Sequence, residues 1–293
     1  MVDFHKIKIR STEERAREEA ALWHNQPLIA LDVETTGLDP HVDRIIEVGL
    51  ARFESGVCVH QISRYVHPER DPRLIDFEVL KLNHIDPRDL MHAPPFWRVY
   101  NEIAPMFEGA YPLAFNAAFD RAFFLSSVMR SWPPNAFNQI PFMLGSARWI
   151  DPCAMSRAVY DLYGHRLADV ARVCGLPQRV KHEARQDAVT AGELAVIMGR
   201  AHPRRFPDLE TIFRVQREEA AISRTERLHS KAKTTLTRGT VTAHECDVCF
   251  KVEATWDGKL PQGWGIFHRG NLTTCGPACD TIAGWWAEVV TCR

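Results

Sequence analysis

The stretch Leu28-Ile-Ala-Leu-Asp-Val-Glu-Thr-Thr-Gly-Leu38 decides the fold. Its first half, Leu28 to Val33, is an apolar run with β-branched members, which is typical of a buried strand. Asp32 and Glu34 stand two positions apart at the end of that strand. Because residues i and i+2 of a strand point to the same face, both carboxylates are predicted to reach one point beside the sheet.

Two later segments carry further polar residues of the same chemical type, and they read Phe115-Asn-Ala-Ala-Phe-Asp120 and His182-Glu-Ala-Arg-Gln-Asp187. Asp120 lies one turn into a predicted helix, and Asp187 lies at the start of another. Carboxylates are hard oxygen ligands that suit Mg²⁺ or Mn²⁺. A histidine with an ordinary pKa near 6.5 suits general-base chemistry at neutral pH. Each segment alone is weak evidence for a function, because such short patterns occur by chance. The three segments together, in this order, predict a metal-dependent nuclease.

The composition is that of an ordinary globular protein. The chain has 293 residues, of which 45% are hydrophobic and 25% charged, enough for one large domain and a small one. The formal net charge is −1, so affinity for nucleic acid must come from local patches and bound metal. Neither a signal peptide nor a long apolar run is seen, so we expect a cytoplasmic protein without a membrane segment.

Strand-like and helix-like patterns alternate along most of the chain. The predicted strands span 28–33, 44–53, 57–66 and 111–115, with a short one ending at 151. The predicted helices span about 11–23, 96–107, 117–129, 154–162, 167–174 and 183–200, and a further helix ends near 83. This alternation favours an α/β fold that begins with an antiparallel meander.

The three segments resemble the motifs of the DEDDh group of 3′–5′ exonucleases, the family of the polymerase III epsilon proofreading subunit, ribonuclease T and oligoribonuclease. Further matches are Ile46-Glu47-Val-Gly49, Asn83-His-Ile85, Ala93-Pro94 and Ile150-Asp151. The resemblance covers about 27–202. It implies a ribonuclease-H-like fold, in which helices flank a central mixed sheet.

The resemblance also implies roles for the motif residues. Asp32 would touch two Mg²⁺ or Mn²⁺ ions, Glu34 and Asp187 would complete the first site, and Asp120 would support the second. Two such ions, about 3.5–4 Å apart, stabilise the attacking and leaving oxygens of an in-line displacement. His182 would act as general base toward the attacking water. The product would be a nucleoside 5′-monophosphate released from a DNA 3′ end.

Contacts to the substrate follow from the same resemblance. The main chain of Thr35 and Thr36 would meet the terminal 3′-hydroxyl. Phe115 stands where many relatives have histidine, and an aromatic face binds bases without sequence preference. The full set of predicted substrate-binding residues is Thr35, Thr36, Leu38, Phe115, Asn116 and Phe119.

The expected partner is a single-stranded or frayed nucleic-acid 3′ end, with DNA favoured over RNA. The motifs do not separate the two, because the 2′-hydroxyl is sensed by contacts that the sequence does not locate. An exoribonuclease and a catalytically silent nucleic-acid-binding protein therefore remain as alternatives. No polymerase motif is present, so a proofreading role would need a separate polymerase partner.

From Pro203 onward the sequence becomes polar and mildly basic. We predict an N-terminal helical extension over 1–25, an exonuclease domain over 26–203, a basic linker helix over 204–240 and a zinc module over 241–293. The linker is interpreted as a solvated helix. On that interpretation, a chain that ends near His202 would fold and trim short single strands.

The last fifty residues are rich in cysteine. Cys246-Asp-Val-Cys249 and Cys275-Gly-Pro-Ala-Cys279 form two close pairs separated by 25 residues. Such pairs can close a tetrahedral thiolate shell around one structural Zn²⁺, and the pattern looks like a treble-clef finger. His244 or Cys292 could replace one ligand, and four reduced thiols without metal are the alternative.

Overall fold

The computed structural model describes residues 17–131, 148–179 and 183–234, together with the short segments 242–245, 252–255, 265–267 and 272–274. Within these residues the main sheet has the strand order β3-β2-β1-β4. Its strands are β1 (Leu28–Thr35), β2 (Ile45–Glu54), β3 (Val57–Tyr65) and β4 (Tyr111–Leu113). The first three form an antiparallel meander, and β4 pairs with β1 in parallel. The predicted mixed sheet and early meander are confirmed.

Helices follow the strands in the predicted order. They are α1 (Phe77–Leu82), α2 (Pro87–Met91), α3 (Phe96–Ile103), α4 (Ala117–Ser131), α5 (Pro152–Val159), α6 (Leu167–Val173), α7 (Ala184–Ala201) and α8 (Leu209–Thr234). Short 3₁₀ turns lie at Trp23–Asn25, Pro72–Leu74 and Ala104–Phe107. The predicted strand that ends at Asp151 is reduced to a single parallel bridge between Leu113 and Ile150. The predicted flanking of the sheet by helices is confirmed.

Strand β1 lies between two hydrophobic cores, and its side chains point alternately into one and the other. One core, which includes residues of α3 and α4, takes Ile29, Leu31 and Val33. The other, which includes residues of α7, takes Leu28 and Ala30. Because side chains alternate across a strand, Asp32 and Glu34 continue the face that α7 covers. The apolar half of β1 thus fixes where its acidic half points.

The segment just before α8 and the first turns of this helix belong to the second core. Phe206, Ile212 and Val215 are buried, and the Trp23 indole N–H donates to the Phe206 carbonyl at 2.9 Å. The Gln216 amide donates to the Trp149 carbonyl at 2.9 Å. The expectation of a solvated linker is wrong here, because the average polarity of a long helix concealed a short apolar stripe. The division of the chain into domains stays a prediction.

The ends of the chain are described only in part. Residues 17–20 are helical, and the remainder of the predicted N-terminal helix up to residue 16 lies outside the described residues. Near the C-terminus, β5 (Thr242–Glu245) pairs with β6 (Val252–Thr255), and β7 (Gly265–Phe267) pairs with β8 (Leu272–Thr274), both antiparallel. The predicted zinc ligands Cys246, Cys249, Cys275 and Cys279 lie outside the described residues. Among the helices that are described, none is long and apolar enough to cross a bilayer.

Candidate active site

Three of the predicted acidic residues converge at one point. The carboxylates of Asp32, Glu34 and Asp187 each offer an oxygen, and these oxygens lie within 4.8 Å of one another. The first two residues come from β1, and Asp187 lies in the first turn of α7. Glu34 is only 9% exposed. Segments about 150 positions apart in the sequence therefore build one acidic cluster.

Asp120 lies beside this cluster and reaches the sheet from another direction. Strand β4 pairs with β1 only along Leu28–Ala30. In the described chain, the part of β1 after Ala30 therefore has no strand partner on the side of β4. The carboxylate of Asp120 accepts the Val33 N–H there at 3.0 Å, and the side chain is only 4% exposed. The backbone of β1 thus holds Asp120 next to Asp32.

Burial and mutual repulsion perturb the acids. Burial raises the pKa of Asp32 well above its ordinary value, and the charges of Asp120 and Glu34 raise it further. The pKa of Glu34 is raised to about 8 by burial first, then by Glu47 and Asp187. Burial also raises the pKa of Asp120, while the Val33 N–H opposes that rise. Buried carboxylates this close together disfavour ionisation unless a positive charge joins them.

The donor set fits a hard divalent cation. Within the described residues, the cluster offers carboxylate oxygens alone, which match the preferences of Mg²⁺ and Mn²⁺. A bound cation would also compensate the repulsion that raises the pKa values of Asp32 and Glu34. The arrangement can therefore bind metal and bring it to a phosphate group.

The loop after β1 is folded around one carboxylate. Asp43 accepts the Thr36 hydroxyl at 3.1 Å and the Asp39 N–H at 3.0 Å. A Cβ added at Gly37 would lie only 2.3 Å from the Asp43 carboxylate, so a larger residue there would require the Asp43 side chain to move. Leu38, in the same loop, is 84% exposed.

Thr35 and Thr36 are buried and already engaged within the loop. The Thr35 hydroxyl donates to the Gly37 carbonyl at 2.6 Å. The Thr36 N–H donates to the Arg44 carbonyl at 2.9 Å. Their predicted contact with a 3′-hydroxyl stays a prediction.

The second motif begins with a left-handed residue. Asn116 has φ of 66°, is exposed, and donates its N–H to the Asp151 carboxylate at 3.0 Å. The same Asp151 oxygen caps α5 by accepting the N–H groups of Cys153 and Ala154 at 2.9 and 3.3 Å. From the sequence, Asp151 is predicted only as the end of a short strand and as part of the family match Ile150-Asp151. Its position before a proline at the start of a helix is the signal that indicates a cap.

The other predicted site residues are Phe115, Phe119 and His182. Phe115 is half-buried against the second core. Phe119 is also half-buried, and its ring centroid lies 4.8 Å from that of Phe123. His182 lies outside the described residues, directly before Glu183 and the start of α7.

Comparison with known proteins identifies the family. Residues 29–195 match the RNase_T family model, which is described as an exonuclease. The chain belongs to this exonuclease family. It is 30% identical over 181 residues to the DNA polymerase III subunit epsilon of Treponema pallidum, covering 61% of this chain and 79% of that relative. The predicted resemblance and the enzyme class, a 3′–5′ exonuclease, are confirmed.

Some relatives are far longer than the matching region. The chain is 26% identical over 196 residues to the 3′-5′ exonuclease DinG of Bacillus subtilis, which corresponds to 66% of this chain but only 20% of that relative. The match thus concerns a unit that larger proteins also contain.

Solved structures give the same fold. The zinc-bound E. coli ExoI–ssDNA complex aligns with a TM-score of 0.52 at 20% identity, covering 62% of this chain and 42% of that chain. The nuclease domain of 3'hExo, a DEDDh family member bound to rAMP, aligns with a TM-score of 0.50 at 18% identity, covering 62% and 95%. The predicted ribonuclease-H-like fold of the exonuclease part is confirmed.

Proposed function

We propose that the protein is a divalent-metal-dependent exonuclease that hydrolyses phosphodiester bonds at DNA 3′ ends and releases nucleoside 5′-monophosphates. The observation that carries this proposal is the convergence of the Asp32, Glu34 and Asp187 oxygens within 4.8 Å. DNA is favoured over RNA because the 30% identical relative is named as a subunit of a DNA polymerase. A separate polymerase is a proposed partner for the same reason.

The acidic residues are proposed to hold two Mg²⁺ or Mn²⁺ ions. Asp32, Glu34 and Asp187 would hold the first, and Asp32 and Asp120 the second. When bound, such ions stabilise the negative charge that develops on the phosphate and on the leaving oxygen. The hydrogen bond from the Val33 N–H keeps the Asp120 carboxylate oriented before any metal binds.

His182 is proposed to take the proton of the attacking water. A side chain with an ordinary pKa near 6.5 accepts a proton readily at neutral pH. The residue after Glu183, Ala184, begins α7, the helix that carries Asp187. The sequence therefore tethers the base near the cluster.

The substrate is proposed to lie along the loop after β1. Leu38 is 84% exposed at that loop and offers an apolar surface to the terminal base. Thr35, Thr36, Phe115, Asn116 and Phe119 complete the proposed contacts. The C-terminal module is proposed to bind one structural Zn²⁺ through Cys246, Cys249, Cys275 and Cys279.

The test compares oligonucleotides of one sequence, as single-stranded DNA and RNA, labelled at the 5′ or the 3′ end. With Mg²⁺, the 5′-labelled DNA should shorten stepwise and the 3′-labelled DNA should yield a labelled mononucleotide at once. EDTA should stop both reactions. Asp187→Asn should abolish activity, whereas Asp161→Asn, at an exposed position, should not.

Other results would contradict the proposal. Undiminished degradation in EDTA would exclude a metal-dependent reaction. Faster degradation of RNA would favour the exoribonuclease alternative. Tight binding without cleavage of either nucleic acid would favour the catalytically silent one.

A further inference from the structure

Glu47 is a buried acid that the proposed reaction does not use. It lies on β2 directly opposite Glu34 of β1 and is only 5% exposed. Its carboxylate accepts hydrogen bonds from the Ser63 hydroxyl of β3 and from the backbone N–H of Ala184. Ala184 is the first residue of α7. The side chain therefore connects the sheet to the helix that carries Asp187.

The start of α7 needs such a partner. The first N–H groups of a helix have no acceptor within the helix. The N–H groups of Gln186 and Asp187 donate to the Glu183 carbonyl at 2.8 and 3.1 Å. In the described part of the chain the side chain of Glu183, at the N-cap position, makes no capping hydrogen bond. Glu47 supplies an acceptor for Ala184 from a neighbouring strand, and negative charge is favourable at a helix N-terminus.

Gly49 makes room for this contact. It lies two residues after Glu47 and hence on the same face of β2. A Cβ added at Gly49 would lie 2.1 Å from the Ala184 carbonyl carbon and 2.3 Å from the Arg185 nitrogen. The first backbone atoms of α7 therefore touch the strand. Gly49 permits the approach, and the Glu47 carboxylate holds the helix there.

We infer that Glu47 is a positioning residue, which fixes the N-terminus of α7 on β2 and so holds the Asp187 carboxylate within reach of Asp32 and Glu34. Glu47 lies outside the three-carboxylate group, and its oxygens are engaged by Ser63 and Ala184. It therefore acts through the helix and not as a ligand. This inference rests on the proposed metal site.

The test uses three replacements that separate the effect of side-chain length from the effect of charge. Glu47→Gln keeps an oxygen at the same distance, Glu47→Asp keeps the charge but is one methylene shorter, and Glu47→Ala loses both. Mn²⁺ binding to the full-length protein is followed through the electron paramagnetic resonance signal of free Mn²⁺, together with kcat and KM. Loss of a group that orients a metal ligand typically weakens metal affinity by about 10–100-fold.

We expect the Ala and Asp variants to lose Mn²⁺ affinity by about that factor and the Gln variant to lose far less. If Glu47→Ala fails to fold, Glu47→Asp carries the test. Glu193→Ala is the matched control, because Glu193 lies farther along α7 and pairs with Arg179 at 2.6 Å. Its Mn²⁺ affinity should equal that of the wild type.

The possible failures are distinguishable. A wild-type protein that binds no Mn²⁺ would overturn the proposed metal site itself. A wild-type protein that binds Mn²⁺, with a folded Glu47→Asp or Glu47→Ala variant that binds it equally well, would overturn only the role of Glu47. A large loss in Glu47→Gln with none in Glu47→Asp would show that charge and not reach matters, which also contradicts the inference.

Discussion

Glu34 of β1 lies directly opposite Glu47 of β2 in the antiparallel register, and both side chains are buried. Like charges at opposed positions destabilise a sheet. The two glutamates are tolerated at these positions because each carboxylate takes part in a further interaction. Glu34 joins the acidic cluster with Asp187, and Glu47 accepts hydrogen bonds from Ser63 and the start of α7.

This relationship predicts that metal stabilises the protein more at high pH. Burial raises the pKa of Glu34 from its ordinary 4.5 to about 8, with Glu47 as the next cause. The metal-free folded state then holds more protons than the unfolded state, so its free energy of unfolding falls as pH rises between those two values. A bound cation keeps the carboxylate ionised and removes that loss. The rise in Tm on adding Mg²⁺ should be larger at about pH 8.5 than at about pH 6.

Glu34→Gln is the control, because an amide has no proton to release in this range. Without metal, its free energy of unfolding should fall less steeply with pH than that of the wild type. Equal Mg²⁺-induced shifts of the wild-type Tm at both pH values would contradict the prediction.

Replacing His182 should slow the reaction without weakening DNA binding. A general base acts in the transition state and typically contributes about 10²–10⁴-fold to the rate. His182→Ala should therefore lower kcat by that factor, measured in single-turnover digestion. His60→Ala, at an exposed position of β3, should leave kcat unchanged. Near-normal turnover of His182→Ala would contradict the proposal that His182 is the general base.

Replacing Asp151 should destabilise the fold. One of its oxygens accepts the N–H groups of Asn116, Cys153 and Ala154, and these lose their acceptor in Asp151→Ala. We expect a loss of about 2 kcal/mol in the free energy of unfolding, measured in urea. Asp151→Asn keeps an oxygen at this position and should lose less. As a control, Asp208→Ala removes an exposed cap for one N–H, that of Thr211, and should cost less stability than Asp151→Ala. Equal stability of Asp151→Ala and the wild type would contradict this account.

Truncation should locate the end of the exonuclease unit after the start of α8. A chain ending at His202 lacks Phe206, Ile212 and Val215, which are buried in the second core. It should be unfolded or aggregate, whereas a chain ending at Thr234 should unfold cooperatively and trim short single strands. Circular dichroism and thermal melts measure this difference. A folded and active chain ending at His202 would restore the original expectation of a solvated linker.

The C-terminal cysteines should bind one zinc ion per chain. Thiolates prefer zinc and carboxylates prefer Mg²⁺, so the two metal systems should be separable. Elemental analysis after mild dialysis should find zinc in the full chain and in Cys58→Ser, but much less in Cys246→Ser or Cys275→Ser. Metal-free protein whose four thiols titrate freely would contradict the zinc site.

Local patterns in the sequence determined much of this protein. The apolar run from Leu28 to Val33 predicted β1, and the two-residue spacing of Asp32 and Glu34 predicted a shared face. Both inferences depend on the side-chain period of a single strand, which a short window contains in full. The family could be identified from the motifs because their chemistry depends on residue type and spacing.

The tertiary structure alone decided the contacts between distant segments. The first turns of α8 were expected in solvent, and only their packing in the second core shows that Ile212 and Val215 are core residues. The roles of Glu47 toward Ala184 and of Asp151 toward Asn116 were likewise absent from any local pattern. The physical reason is that the local sequence does not determine which donors a buried carboxylate will meet. Its hydrogen bonds depend on which N–H groups lie within reach once the helices and strands have packed.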